Sequence, residues 1–451
     1  MPDKDLETRI VRMVKKKVPW TSHLISNVSV ALDLNVTSEL STIIPQGSVC
    51  TACKGARMLC GKSRCPIMAK VYSYLEVRDI FERENIDGSS PPGVFVGRIG
   101  YPHVYIGPLV PPIHGDTSIF DLPEQWFGKT IEDIVDFRFK LVRGKFRVNV
   151  KNLQSEGRIL EDTRLLAMSE KSVDVELELK TKPKKLFVLN DEVQPIGPSA
   201  PMKDLSVGNV KLDQKIEEAY YDTDLKASEA ILELYEKEIA VSKIQRALSV
   251  GAFGLKDQRR LVPTRWSITA VDSIISQRLM ERIKSFPVIN EFRIYESCYL
   301  DNRFEILMIP KAWRYEAIEA WYPGTVWNPS GKDIYLFGDW ESYHGRTTYA
   351  RMGGCYYAAR LAVNEKLERE RRQAMVIVLR EAHPDYIMPV GVWQVRENVR
   401  NALKQDSLKF DTVEEALKHI EKKFDIGLKV WIDNSKLLKD TLVQKKITDY
   451  Y

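Results

Sequence analysis

Much that would classify this 451-residue chain at once is missing from it. No apolar run approaches the length of a membrane span. The first twenty residues, MPDKDLETRIVRMVKKKVPW, mix charges of both signs without a long apolar stretch, so they do not read as a secretion signal. No GxGxxG fingerprint leads from a strand into a helix, and no Walker loop, HExxH, GxSxG or kinase set is present. No internal repeat is visible. A dominant charge is lacking too: 67 basic and 62 acidic residues leave a net +5. That excess permits a polyanionic partner without demanding one. A cytoplasmic location is the resulting expectation.

What is present fits a folded chain with more than one core. Apolar residues make up 44% and aromatics 10%, and the length exceeds one ordinary domain. Val94–Pro112 reads as short buried strands with tight turns, and DGSSPPG (87–93) reads as a break before them. TIEDIVDFRFKLV reads helical, KFRVNV extended, and VDVELELK alternates as a half-buried strand does. The Pro/Gly-rich stretch Leu189–Gly208 reads as a long connection. DTDLKASEAILELYEKEIAVSKIQRALSV has the strongest helical pattern, with Asp224 or Ser228 as cap. PTRWSITAVDSIISQRLMERIKSFP follows as a second helix. EFRIYESCYLDNRFEILMIP reads as a hairpin turning at Asp301–Asn302. CYYAARLAVNEKLERERR, AMVIVLRE and TVEEALKHIEKKF then give helix, buried strand, helix. The expected class is mixed α+β, without a definite sheet order.

Four of the six cysteines fall in one sixteen-residue window, spaced Cys50-x2-Cys53-x6-Cys60-x4-Cys65. In a reducing compartment such clustering favours metal over disulfides. Four thiolates so close can close a tetrahedral Zn²⁺ site, and Gly55 and Gly61 supply the turns. An Fe–S cluster is the rival, since it also takes four cysteines. The expectation is a structural zinc site. Lys54, Arg57, Lys62 and Arg64 between the ligands would suit phosphate, or would serve a small exposed loop equally well. Cys298 and Cys355, in apolar or aromatic contexts, are expected to be buried.

Three polar-aromatic segments interrupt otherwise packable sequence. GRIGYPHVYIGP, followed by PPIHGDTSIF, sets Arg98, His103, His114 and Asp116 among glycines. VPTRWSIT places Arg265 and Trp266 at a helix start capped by Thr264 or Ser267, where anions are favoured and an Arg–Trp pair suits stacking on a base. GDWESYHGRTTYARMGG crowds His344, Arg346 and Arg351 with acids and aromatics. Arg98, Arg265, Trp266, Arg346 and Arg351 are the phosphate- and substrate-binding candidates. His344, His103, His114 and Asp116 are the acid–base candidates. The competing account of each segment is a capped helix with a packed Trp, or a loop with an internal hydrogen-bond network.

The chain closes on QKKITDYY, Gln444 to Tyr451. On a 3₁₀ turn, positions three apart share a face, so Ile447 and Tyr450 would form an apolar plug with Tyr451 beside it and Gln444 one turn before. This resembles the peptide by which replication and repair proteins dock on the sliding clamp PCNA, with Tyr in place of Phe at the aromatic pair. With the four-Cys segment, GRIGYP, VPTRWS and GDWESYHGRTTYARMGG, it resembles the archaeal NreA DNA-repair family across nearly the whole chain. The resemblance implies a chromosome-associated repair role, a zinc-finger-like Cys cluster and clamp recruitment, with DNA as a partner. The corresponding organisation is an N-terminal region at 1–290, a C-terminal α/β region at 291–432, a polar linker at 433–443 and a flexible clamp-binding peptide at 444–451. Three readings remain open: a clamp-tethered repair factor, a hydrolase of nucleotide or DNA phosphodiesters using an Arg/His-lined pocket, or a nucleotide-binding sensor without turnover.

Overall fold

The computed structural model describes residues 82–443 apart from 154–156, 184–193, 326 and 329–331. The four-Cys cluster and the QKKITDYY tail lie outside the described residues.

The strands form two six-stranded sheets. The first contains β1 (Asn85–Ser90), β2 (Val94–Val96), β3 (His103–Val110), β4 (Val142–Asn149), β5 (Val173–Leu179) and β6 (Ser199–Val207). Their order is β1-β5-β6-β4-β3-β2, antiparallel except for β4 beside β6. The second contains β7 (Phe292–Tyr299), β8 (Asn302–Ile309), β9 (Arg314–Trp321), β10 (Tyr335–Glu341), β11 (Met375–Ala382) and β12 (Leu408–Phe410). Its order is β10-β9-β11-β8-β7-β12, antiparallel except for β9 beside β11.

Helices α1 (Ile131–Phe139) and α2 (Arg158–Ala167) lie within the first half. Between the sheets in sequence come α3 (Gln214–Tyr221), α4 (Ala227–Glu236), α5 (Val241–Ser249) and α6 (Thr264–Ile283). The second half adds α7 (Gly354–Glu370), α8 (Trp393–Lys404), α9 (Val413–Lys423), α10 (Leu428–Asn434) and α11 (Lys436–Val443). Caps follow local chemistry in places. Thr130 and Asp133 form a reciprocal capping box on α1, and Thr412 accepts the Glu415 amide at the start of α9.

One core ties the halves together. It joins Val104, Ile106 and Val148 of the first sheet, Ile244, Ile275 and Leu361 of the helices, and Ile306, Met308 and Val376 of the second sheet. Each such buried side chain contributes about 1.5–3 kcal/mol relative to exposure. β11 is buried along its whole length: its apolar run Met375–Leu379 suits a central strand, and Arg380 and Glu381 are buried with partners. A separate core lies on the other face of the second sheet, where Ile294, Leu307 and Ile377 meet Leu417, Trp431, Leu437 and Leu438.

Several expectations need correction. DGSSPPG does not begin as a break: Asp87–Ser90 belongs to β1, because Ser90 and Gly88 pair with β5. The Leu189–Gly208 connection holds a strand, β6, whose extended form comes from pairing with β4 and β5. The strongest helical pattern is two helices, parted at Glu238, which adopts φ +63°. Its cap is Lys226 rather than Asp224 or Ser228. The segment read as a polar linker at 433–443 is largely helical, since Leu437 and Leu438 are fully buried against the second sheet. Cys298 is exposed and Cys355 half-buried, not buried as expected. The hairpin β7–β8 turns one residue early, with Leu300 and Asp301 both at positive φ.

Candidate functional site

The start of α6 organises the most suggestive cavity. Pro263 precedes the helix and no side chain caps it. Thr264, expected as the cap, instead accepts the Val96 amide at 2.9 Å. That bond fastens the end of β2 to the first turn of α6, so Arg98, two residues further on, emerges beside Arg265. Helical spacing then sets Arg265, Thr269 and Ser273 along one face of α6, while Ile268, Val271 and Ile275 turn to the core. The third contribution comes from the loop between β10 and α7, which lays Tyr349 over the same space. The result is a cavity of about 490 Å³ lined by Arg98, Arg265, Trp266, Thr269, Tyr349 and Tyr357.

Its rim is aromatic and wet. Trp266 is 45% exposed and Tyr349 61% exposed. The Tyr101 and Trp266 rings pack with centroids 5.2 Å apart, and Tyr349 and Tyr357 at 5.5 Å. Burial of the hydroxyl, opposed by its bond to Thr269, pushes the Tyr349 phenol up. Exposed aromatics beside arginines suit a flat, anionic ligand, which stacks on the rings while its phosphate meets guanidinium.

The β10–α7 loop is held from within. Arg346 pairs with Asp339 at 2.8 Å and donates to the Thr348 carbonyl at 2.7 Å, and its guanidinium lies over Tyr356. Asp339 also accepts the Arg351 amide at 2.8 Å. Burial opposes the Asp339 charge, but these bonds outweigh it and hold the carboxyl below its usual range. Glu341, fully buried, accepts from Arg360 Nη1 on both carboxylate oxygens, at 2.8 and 3.1 Å. Arg346 therefore positions the loop and does not line the cavity; Arg351 is exposed outside that lining.

The acid–base candidates stand apart. His344 is exposed, edge-on to Tyr343. His103 opens β3 with its Nε2 3.4 Å from the Asn149 amide. His114 bridges Asp87 at 3.4 Å and Asp174 at 3.3 Å. The Asp174 hydrogen bond, against some desolvation and with help from the Asp87 charge, raises its pKa. Ser89 donates to the same Asp174 rather than to His114, so this trio lacks the hydroxyl–imidazole contact of an activated nucleophile. Asp116 accepts the Ser118 amide at 3.0 Å, and the Ser118 hydroxyl first, then this amide, lower its pKa. None of the four lines the cavity, so the expected Arg/His pocket is an Arg/aromatic one.

Sequence reading missed Thr269, Ser273, Tyr349 and Tyr357 as lining residues. The first two were findable, because they follow Arg265 at intervals of four. A second cavity, of about 550 Å³, is lined by Lys151, Arg164, Lys256 and Arg259 beside Tyr220. There Arg259 is spent on the carbonyls of Gly254, Tyr220 and Asp222, and Arg164 on those of Val250 and Gly251. Among the described residues, no helix is long and apolar enough to cross a membrane.

Comparison with known proteins bears on both halves. Residues 59–328 match the family described as Archaeal Nre, N-terminal, and residues 341–450 match Archaeal Nre, C-terminal. A protein of Archaeoglobus fulgidus named DNA repair protein NreB is 43% identical over 86% of this chain and 97% of its own. DNA repair protein NreA of the same organism is 37% identical over 82% of this chain and 92% of its own. DNA repair protein NreA of Haloferax volcanii is 35% identical over 80% of this chain and 90% of its own. No solved structure gives a significant match.

Proposed function

The chain belongs to the archaeal Nre family of DNA-repair proteins, and on that premise we propose that it is a repair factor carried to DNA by the sliding clamp, gripping a strand or nucleotide at the Arg98–Arg265–Trp266 cavity. The observation that supports this most is the meeting of three segments, distant in sequence, on one cavity that combines two arginines with exposed rings. Recruitment rests on the spacing of Gln444, Ile447, Tyr450 and Tyr451 at the chain end. A peptide that folds on docking needs only those side chains and raises the local concentration of whatever it carries. The four-thiolate spacing of Cys50, Cys53, Cys60 and Cys65 supports one structural Zn²⁺, with an Fe–S cluster as the competitor; metal analysis of purified protein separates them.

Two substitutions test the two halves of the proposal. Trp266→Ala removes a stacking surface worth about 1–3 kcal/mol per base, so affinity for a fluorescent single-stranded oligonucleotide falls roughly 5- to 150-fold while the melting temperature holds. Unchanged oligonucleotide affinity sinks the cavity. Tyr450→Ala combined with Tyr451→Ala abolishes clamp binding without changing oligonucleotide binding. Retained clamp affinity sinks the recruitment. Hydrolysis at the cavity is the less favoured reading, because none of its acid–base candidates reaches the lining. Phosphodiester turnover that is lost in His344→Ala would restore it.

A further inference from the structure

The outer face of the second sheet, under α9, α10 and α11, carries four glutamates: Glu296 on β7, Glu305 on β8, Glu316 on β9 and Glu381 on β11. Two are fully used. Glu316 accepts from the Ser435 hydroxyl and from the amides of Lys436 at 2.7 Å and Leu437 at 2.9 Å. Glu381 accepts from the amides of Asp425 at 3.3 Å and Ile426 at 3.0 Å, and its Oε2 lies 3.0 Å from His383 Nε2. Glu305 differs. It is 3% exposed, and its Oε2 is buried without a hydrogen-bond partner.

The register of β7 and β8 sets Glu305 directly opposite Glu296. Like charges facing each other across a strand pair repel, and an unpaired buried carboxylate is costly. Helix α9 brings His419 down onto the pair, with its Nε2 against Glu296 Oε1. One donor atom from each of Glu296, Glu305 and His419 lies within 4.8 Å of the other two. Lys423 donates to the far oxygen of Glu296 at 3.0 Å; its charge also acts on Glu305, but it makes no hydrogen bond to the Glu305 Oε2. Glu296 and His419 are partly exposed, which provides an entry path.

We propose that Glu296, Glu305 and His419 form a binding site for a divalent first-row transition ion, Mn²⁺ or Zn²⁺, that fastens α9 to the β7–β8 pair. Two carboxylates and one imidazole are a donor set suited to such ions, and two negative ligands offset the dication's charge. The neighbouring group Glu381, His383 and Asp425 is as close-set, but both Glu381 oxygens are already engaged by backbone amides. The orphaned oxygen of Glu305 is what separates the two.

Mn²⁺ is the probe of choice, since thiolate clusters disfavour it and the cysteines then compete little. The full chain, cleared of loosely held metal by dialysis against chelator, is titrated with Mn²⁺ alone and followed by electron paramagnetic resonance and thermal melting. The expected result is a Mn²⁺ ion bound with a rise in melting temperature, weakened at least about tenfold in Glu305→Gln and in His419→Gln, and unchanged in His383→Gln. Metal-free Glu305→Gln is expected to melt close to the wild type, because the amide keeps the size of a carboxyl whose Oε2 has no partner; should it fail to fold, His419→Gln carries the same comparison. Mn²⁺ binding that is equal in wild type, Glu305→Gln and His419→Gln overturns the proposal. So does the absence of Mn²⁺ binding together with the absence of any Zn²⁺ that His419→Gln removes.

Discussion

On the inner side of the second sheet, buried acids meet guanidinium groups; on the outer side, among the described residues, none of the four glutamates has an arginine partner. Inside, Glu319 pairs with Arg380 at 2.6 Å, Glu341 with Arg360 at 2.8 Å, and Asp272 of α6 with Arg396 of α8 at 3.0 Å. Outside, Glu316 and Glu381 take backbone amides, Glu296 takes His419 and Lys423, and the Oε2 of Glu305 has no hydrogen-bond partner. Both sides bury charge, but they join different things. An arginine links buried side chains of two strands, of strand and helix, or of two helices, where its fork can engage a carboxylate. Glu316 grips the start of α11 itself, where the partial positive charge lies, and Glu381 holds the turn just before α10. Of the inner pairs, Asp272–Arg396 joins α6 to α8, Glu319–Arg380 ties two strands and Glu341–Arg360 ties β10 to α7, whereas outside Glu316 and Glu381 hold the backbone at and before the last helices.

The sharpest way to break this contrast is to remove an inner cation. Arg396→Ala strands Asp272, which is fully buried and otherwise receives only Gln245 at 2.9 Å. The expected loss is about 3–5 kcal/mol, read as a lower urea midpoint. The double variant with Asp272→Ala loses less than the sum of the single variants, because Asp272 is no longer stranded, while Glu397 keeps Arg400. Additive losses would mean that the pair is not a unit and that the inner side works no differently from the outer.

A smaller effect is expected outside. Glu316→Ala takes three acceptor contacts from Ser435, Lys436 and Leu437, costing about 1–3 kcal/mol. The loss is local: amide exchange speeds up in α11 while α6 and α8 stay protected. Helix α11 ends at Val443, immediately before Gln444. If the tail is an independent clamp peptide, this variant leaves clamp affinity unchanged. A parallel fall in clamp affinity would show that the docked helix is part of the recognition unit.

The contrast also marks what sequence could show. Local signals were readable: the alternation of Val173–Leu179 and the buried strand opened by the apolar run Met375–Leu379 appear where expected, and the β7–β8 hairpin is present with its turn one residue early. Strand β6 was not readable, because Pro201 and the flanking glycines look like a loop until β4 supplies a parallel partner from more than fifty residues away. At the cavity, Arg265 and Trp266 stood out as an Arg–Trp pair at a helix start. Tyr349 did not, because its place there depends on the loop that Arg346 and Asp339 hold. Glu305 passed unnoticed for a similar reason. Within NRFEILMI it looks like one charge in a strand, and only the register opposite Glu296 and the arrival of α9 give it a meaning.

Asp339 lies between the two cases and predicts the smallest effect. It combines an arginine, Arg346, with the backbone amides of Trp340 and Arg351, at the sheet edge where β10 ends. Its pKa is lowered on folding from the ordinary 3.8, burial being outweighed by these bonds. A depressed carboxyl contributes stability that is fully present above its unfolded value and is lost as pH falls through the folded one. Wild type should therefore lose an increment below about pH 4 that Asp339→Asn no longer has, amounting to less than about 1 kcal/mol because the pair is partly solvated. Melting temperatures from pH 3 to 7 check this, and the two curves should converge at the acid end. Because the same bonds carry Tyr349 to the cavity, Asp339→Asn should also weaken oligonucleotide binding at neutral pH, by less than Trp266→Ala does. If binding is unaffected, the loop holds Tyr349 in place without this carboxylate, and the cavity's aromatic rim is set by α6 and α7 alone.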